Sequence, residues 1–186
     1  MIFEPESGLH AWISAFDTRP QNPEELFRSM VEKYPGVSVQ LVDLDMVPGQ
    51  RYLKLATVNA VKSFHSEQPI AKTLAMELLL YLSAEKQIVR ALKRIGITGE
   101  THRVAALAVG ANSDRVLAAA NFLATTLGKP TDELLQEWSG QRIANVRSSF
   151  DIGEAELDAI VQENEPEHMA VERLAIERSA MLAGKK

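Results

Sequence analysis

The amino-acid sequence predicts an α/β fold, with α+β as the alternative, in which many helices pack on a short mixed sheet. Three apolar segments have the length and pattern of strands, and segments of helical periodicity separate them. Strands that are separated by helices are typical of layered folds in which the helices cover the sheet. The chain of 186 residues has the size of one domain, so we expect residues 1–186 to form a single domain.

The strands are predicted from their apolar content and from alternation. In Leu9–Phe16 the side chains alternate with a period of two and both faces are mostly apolar, as in a strand that is covered on both sides. Val37–Leu44 and Val104–Val109 are the second and third predicted strands. A fourth strand could lie in the loops.

The first helices are predicted from their start and stop residues. One begins after Asn22, a capping residue that is followed by proline and two glutamates, and ends at Pro35-Gly36. The turn at Pro48-Gly49 leads into a second helix over roughly Arg51–Phe64. A later helix is predicted to begin at a cap formed by Ser113 or Asn112 and to end at Leu127.

The stretch Lys72–Gly96 predicts a buried helix that is followed by an amphipathic one. Leu74–Leu82 is apolar except for Glu77, and a helix that is apolar all round belongs in the interior of a protein. Burial could raise the pKa of the Glu77 carboxyl. We expect this carboxyl instead to contact a buried arginine or a backbone N–H group.

Ser83 is the expected N-cap of the amphipathic helix. The spacing i, i+3, i+4, i+7 predicts one buried face, made of Ile88, Ala91, Leu92 and Ile95. Four cations occupy the other side and are expected to face solvent, namely Lys86, Arg90, Lys93 and Arg94.

A final amphipathic helix is predicted over residues 167–183. The polar, acidic segment Gln162–Pro166 precedes it and is the one plausible joint in the chain. A terminal helix with an apolar face either completes the core of its own domain or binds a partner protein. We expect this helix to dock on its own domain.

Composition restricts the class of protein. The chain contains no cysteine, which excludes disulfides, cysteine-bound zinc and thiol nucleophiles. The first residues lack the basic start and apolar core of a signal peptide, and no apolar run reaches the length of a membrane span. We therefore expect a cytoplasmic protein that does not contact membranes.

Catalytic motifs are weak in this sequence. It has neither a Gly-x-Ser-x-Gly elbow nor a phosphate-binding Gly-x-x-x-x-Gly-Lys loop. Asp43 and Asp45 could hold a metal ion at a strand end, as in a metal-dependent enzyme, but this spacing is common and a solvated strand exit is the alternative. We predict no catalytic residues, no metal and no cofactor.

The central part of the chain is basic, although the net charge is −5. Residues 51–103 carry nine basic and four acidic side chains, and a polyanion responds to such a local patch rather than to the total charge. The candidate nucleic-acid-binding residues are Arg51, Lys54, Lys62, Lys72, Lys86, Arg90, Lys93 and Arg94. The alternative is that these cations are ordinary solvated helix faces. Tyr52, Phe64 and Tyr81 could stack on unpaired bases or belong to the core.

Two segments carry a family resemblance. Met76-Glu77, Tyr81, Gln87-Ile88, Ala91 and Ile95-Gly96 resemble the signature of the small KEOPS subunit, called the PRPK-binding protein in eukaryotes and the Cgi-type subunit in archaea. Glu177–Leu182 resembles the closing helix of that family. The order of elements also agrees, so the resemblance covers most of Leu9–Leu182.

The resemblance implies a non-catalytic subunit of the complex that installs threonylcarbamoyladenosine in tRNA. Members of this family bind the kinase-like ATPase subunit and grip tRNA, chiefly through its single-stranded CCA end. We place that grip in the basic middle of the chain on the ground of charge. The acidic flanks are stronger than an RNA-handling subunit would suggest, so the alternative is a stand-alone protein-interaction module that binds no RNA.

Overall fold

The computed structural model describes residues 1–6 and 8–182. The strands are β1 (Ile2–Glu6), β2 (Leu9–Asp17), β3 (Val37–Asp43) and β4 (Arg103–Gly110). The α-helices are α1 (Pro23–Lys33), α2 (Gln50–Phe64), α3 (Leu74–Ser83), α4 (Ile88–Ile95), α5 (Ser113–Leu127), α6 (Gly140–Ser149), α7 (Glu154–Ile160) and α8 (Glu167–Ala180). None of the helices in the described ranges has the length and apolar character that crossing a membrane requires.

The strands form one sheet in the order β1-β2-β4-β3, and every pairing is antiparallel. The predicted fold class, helices packed on a short sheet, is confirmed. The sheet is antiparallel where we expected a mixed one, because β4 lies in the centre and both of its neighbours run opposite to it.

β1 is the strand that the sequence did not reveal. It forms a hairpin with β2, in which Phe3 pairs with Ala11, and its register shifts between Phe3 and Glu6. Pro5 has no N–H group to donate, and the sheet tolerates it because β1 lies at the edge. Glu4 and Glu6 interrupt any apolar alternation, so the period-two signal of a strand is hidden here.

The central strand β4 separates two apolar layers. One face of the strand carries Ala105, Leu107 and Val109, which lie in a cluster with residues of α2, α3 and α8. The opposite face carries Val104, Ala106 and Ala108, which lie in a cluster with residues of α1 and α5. Helices therefore cover both faces, which explains why β4 is apolar throughout.

α3 runs through the interior, as its composition predicts. Thr73 caps its start, where the side-chain oxygen accepts a hydrogen bond from the Met76 N–H group at 3.3 Å. Every residue of Glu77–Ser83 is buried, and Leu79 is only 1% exposed. This helix contacts α2, α4, α8 and β3.

The boundary between α3 and α4 differs from the prediction. Ser83 lies in the last turn of α3 and donates its hydroxyl hydrogen to Leu80 O at 3.0 Å, so it does not cap α4. The chain leaves α3 at Ala84 in the left-handed region, with φ of 53°, and α4 begins at Ile88 after the N-cap Gln87. A serine whose hydroxyl group donates to a carbonyl of its own helix can be buried in the last turn of that helix. α3 therefore includes Ser83 instead of ending before it.

α4 buries a narrower face than predicted. Ala91 and Ile95 are buried, whereas Ile88 is 41% exposed and Leu92 is 52% exposed. The helix has only eight residues and packs on α3 along one i, i+4 stripe, so the rest of its apolar side remains at the surface.

α8 packs against α2, α3 and α6. Its contribution to the main apolar cluster consists of Ala170, Val171, Leu174 and Ala175. Leu182 is buried after the end of the helix, whereas Met181 is exposed. Position 183, the predicted end of the helix, lies outside the described residues.

Candidate nucleic-acid interface

Seven of the eight predicted cations are exposed on α2, on α4 and on the segments that precede α3 and α4. They are Arg51, Lys54, Lys62, Lys72, Lys86, Arg90 and Lys93. Among the described residues, Lys62 of α2 and Lys86, which precedes α4, line the same groove.

Arg94 is the exception, and its assignment to the solvent-facing set is wrong. Its Nη2 atom lies 2.8 Å from Glu85 Oε1 and 2.8 Å from Asp151 Oδ2, and Nη1 donates to Ser83 O at 3.2 Å. The side chain is only 17% exposed. Two carboxylates already neutralise this guanidinium, so Arg94 stabilises the junction of α4 with residues that follow α6 rather than offering its charge to a ligand.

Lys62 and Lys86 line one groove of about 570 Å³, which we call the α2 groove. It lies between the second half of α2, the irregular segment 65–73 that joins α2 to α3, and the end of α8. Its polar and apolar lining includes Asn59, Ser63, Ser66 and Ile70. Leu182, which follows α8, also lines the groove.

The chemistry of the α2 groove suits an unpaired nucleotide strand. Two ammonium groups can contact phosphates, and the Asn59 side chain can donate and accept hydrogen bonds. The hydroxyls of Ser63 and Ser66 already donate their hydrogens to Glu77 Oε1 and Ser63 O, so they can offer only acceptor oxygens. Ile70 adds an apolar surface against which a base can lie. One acidic side chain, Glu67, also lines the groove, so the cations exceed the anions by one.

The segment 65–73 forms one wall of this groove, and the buried Glu77 carboxylate holds it. Glu77 Oε2 accepts a hydrogen bond from the Ala71 N–H group at 2.6 Å, and Oε1 accepts one from the Ile70 N–H group at 3.3 Å. The Ser63 hydroxyl donates to Oε1 at 2.6 Å. The expectation that Glu77 contacts backbone N–H groups is therefore confirmed.

The aromatic rings proposed for base stacking are mostly unavailable. Tyr52 and Tyr81 are fully buried, and the Tyr52 hydroxyl donates to Leu82 O at 2.9 Å. Burial raises the pKa of the Tyr52 phenol far above its ordinary value. Phe64 is half-buried, and its ring centroid lies 5.9 Å from that of His65. The apolar surface that sequence reasoning missed is that of Ile70, because a single isoleucine in an irregular segment gives no sequence signal of a site.

Two cations at the start of α2 contact other parts of the fold. The Lys54 ammonium lies 5.3 Å from the centroid of the Phe3 ring, which ties α2 to β1. Arg51 lies near Glu172 of α8; burial raises the pKa of the Glu172 carboxyl, and the charge of Arg51 opposes that rise. These contacts place Arg51 and Lys54 away from the α2 groove.

Asp43 and Asp45 do not form a metal centre with each other. The Thr101 hydroxyl donates to Asp43 Oδ2 at 2.7 Å, and Arg103 Nε donates to Asp45 Oδ2 at 3.1 Å. Each carboxylate therefore has its own partner at the end of β3. Within the described ranges, no group of three or more histidine, cysteine, aspartate or glutamate side chains is arranged to hold a metal ion.

The comparison with protein-family models finds one model that matches most of the chain. The model described as "Kinase binding protein CGI-121" matches residues 19–182, which include α3, α4 and the closing helix. A comparison with curated proteins finds no match. The resemblance predicted from Met76–Gly96 and Glu177–Leu182 is thus confirmed, and so is the expectation that the chain is not an enzyme. The chain belongs to the CGI-121 family of kinase-binding proteins, which are non-catalytic subunits of the KEOPS complex.

Proposed function

We propose that this chain recruits tRNA to a KEOPS complex in the cytoplasm: it binds the kinase-like ATPase subunit and holds the CCA end of tRNA in the α2 groove. The observation that carries the RNA part is the convergence of Lys62 and Lys86 on one groove. These lysines come from different elements, and both belong to the basic segment 51–103. The kinase-like partner is supported by the family to which the chain belongs.

The size of the groove favours an unpaired strand. A volume of about 570 Å³ is that of an ordinary ligand pocket, which can admit a few nucleotides but not a duplex. Proteins that read RNA specifically do so mostly on unpaired bases, where they combine cations for the backbone with surfaces for the base faces. The CCA end is the unpaired end of every mature tRNA, and it matches these requirements.

The remaining exposed cations would contact the RNA outside the groove. Arg90 and Lys93 lie on α4, which follows Lys86 along the chain, and Lys72 lies on the wall segment that precedes α3. We assign them to phosphate contacts that orient the acceptor arm. Arg94 is not part of this set, because Glu85 and Asp151 occupy its guanidinium.

The experiment measures the affinity for tRNA with and without the CCA end over a range of salt concentrations. For single strands, the slope of log K against log salt changes by about 0.7 for each phosphate contact. The double variant Lys62→Gln/Lys86→Gln should therefore reduce the slope by about 1.4 and weaken binding. Lys129→Gln, an exposed lysine after α5, is the matched control and should change neither quantity. Equal affinity for intact and trimmed tRNA would contradict the assignment of the CCA end.

A protein-interaction module without RNA binding is the second candidate. It is favoured by an apolar groove between α1, β3 and α3, whose lining includes Met30, Val31, Met76 and Leu92. Val31 is 71% exposed and lines this groove together with the exposed Leu92, and contiguous exposed apolar side chains mark interaction sites. Binding of the kinase-like subunit together with no tRNA binding at low salt would favour this candidate over the first.

A further inference from the structure

We propose that Glu77 is a positioning residue for RNA: its buried carboxylate orders the wall of the α2 groove without touching the ligand. This inference rests on the proposed function, since it concerns the same groove. It assigns a role to the one charged residue in a helix that is otherwise built for the apolar interior.

The geometry connects Glu77 to two sides of the groove. On the α2 side, the carboxylate accepts the Ser63 hydroxyl hydrogen at 2.6 Å. On the wall side, it accepts the N–H groups of Ile70 and Ala71 at 3.3 and 2.6 Å. Ser63 and Ile70 both line the groove, so one carboxylate fixes the distance between its two walls.

The wall depends on this carboxylate because it has little regular structure of its own. Residues 66–72 contain neither a helix nor a strand, and most of them are exposed. A segment of this kind pays the entropy of ordering either during folding or when the ligand binds. The bonds from Glu77 order part of it in advance, and a preorganised wall binds more tightly than a mobile one.

The stability of the apolar core does not explain why position 77 is a glutamate. Glu77 is 0% exposed among leucines, and burying a carboxylate costs free energy unless hydrogen bonds compensate. A leucine would continue the apolar run of α3 without that cost. What the carboxylate adds is the set of hydrogen bonds to Ser63, Ile70 and Ala71, and these serve the groove rather than the interior. Its position in the first turn of α3 also favours a negative charge.

The test compares Glu77→Gln with Lys62→Gln/Lys86→Gln by three measurements: amide hydrogen exchange, affinity for tRNA over a range of salt, and affinity for the kinase-like subunit. In Glu77→Gln the side-chain amide cannot accept from both wall N–H groups and the Ser63 hydroxyl as the carboxylate does. We expect faster exchange at Ile70 and Ala71 and about tenfold weaker tRNA binding. The salt slope should stay unchanged because both lysines remain, and binding of the kinase-like subunit should also stay unchanged.

Several outcomes would overturn the proposal. One is faster exchange at Ile70 and Ala71 with unchanged affinity for tRNA. Another is an equal loss of affinity for tRNA and for the kinase-like subunit, which would indicate a merely structural role. Should Glu77→Gln fail to fold, Glu77→Asp retains the charge but shortens the reach to Ala71; a smaller loss of tRNA affinity supports the proposal and no loss overturns it. If the lysine variant binds tRNA like the wild type, the groove itself is not the RNA site, and the proposed function fails separately.

Discussion

The hydroxyl group of Ser179, in α8, donates a hydrogen bond to the backbone carbonyl oxygen of Tyr81, in α3, over 2.8 Å. Both groups are buried, although the residues are 98 positions apart. The hydroxyl group of Tyr52, in α2, lies 3.1 Å from the same carbonyl oxygen and shares its one hydrogen between this oxygen and Leu82 O. One oxygen atom therefore joins three helices, and α8 is part of that junction.

From this junction we propose that α8 completes a single domain and predict that its removal unfolds the protein. Deletion of residues 167–186 would expose the cluster that Val171 and Leu174 cover, so thermal stability and binding of the kinase-like subunit should be lost together. A thermal melt and a pull-down with that subunit check this. Ser179→Ala is the milder variant and should cost about 1 kcal/mol.

Two other outcomes of the deletion are informative. A truncated protein that stays folded and loses only the kinase-like subunit would identify α8 as the interaction surface. One that stays folded and still binds would show that α8 neither completes the domain nor contacts this partner.

Truncation of Leu79 should be among the most damaging single changes. The side chain lies in the interior of α3, so Leu79→Ala would leave a cavity and cost about 2–5 kcal/mol of unfolding free energy. Val89→Ala in α4 is the control, because Val89 is 80% exposed and its loss should cost less than about 0.5 kcal/mol. Urea denaturation compares them, and similar midpoints for both variants would place α3 at the surface.

Removal of the Arg94 side-chain charge should lower the stability of the protein rather than its affinity for RNA. Arg94→Gln leaves Glu85 and Asp151 without their shared partner, so we expect a loss of about 1–3 kcal/mol. Arg90→Gln, in the same helix, should change stability by no more than about 0.5 kcal/mol because Arg90 is exposed. Chemical denaturation distinguishes them; equal stability of the two variants would mean that the ion pairs contribute nothing.

The Asp43 carboxyl gives the stability a pH dependence of known sign. Burial raises the pKa of Asp43 above its ordinary value of 3.8, although the hydrogen bond from Thr101 lowers it. The folded protein therefore takes up this proton before the unfolded chain does as the pH falls. The resulting stabilisation is complete below the unfolded pKa and is lost as the pH rises through the folded pKa. The unfolding free energy of the wild type, relative to Asp43→Asn, should accordingly fall as the pH rises from 3.8 through the raised pKa of the folded state.

Thr101→Val provides the control for this titration. It removes the hydrogen bond that lowers the pKa of Asp43, so the pH at which the stabilisation is lost should move upward. Parallel pH profiles for the wild type and Asp43→Asn would show that this carboxyl has the same pKa in both states.

The three strands predicted from the sequence correspond to β2, β3 and β4, because most of their positions are apolar, as expected for strands of a sheet that helices cover on both faces. The sequence did not reveal β1, because this edge strand pairs only with β2 and its glutamates hide the alternation of apolar and polar residues. The end of α3 was misplaced because Ser83 can serve either as a cap or as a satisfied interior residue, and local sequence does not distinguish these roles.

The candidate site was predicted in part. The basic segment identified Lys62 and Lys86, but the groove in which they meet also requires the wall 65–73 and the end of α8, which are distant in the chain. Arg94 was misassigned for a similar reason, since Asp151 lies 57 residues away. Charge pattern along a helix shows which side chains can reach solvent, and only the tertiary contacts show which of them are already paired.

The placement of Pro5 in β1 has a consequence for how molecules of this protein meet one another. The open edge of a sheet can template a strand from a neighbouring molecule, which is a first step toward fibrous aggregation. The shift between Phe3 and Glu6 breaks the regularity of that edge, prolines are among the residues that disfavour such pairing, and the glutamates on both sides of Pro5 repel an identical strand. β1 therefore disfavours edge-to-edge pairing between molecules of this protein at high concentration.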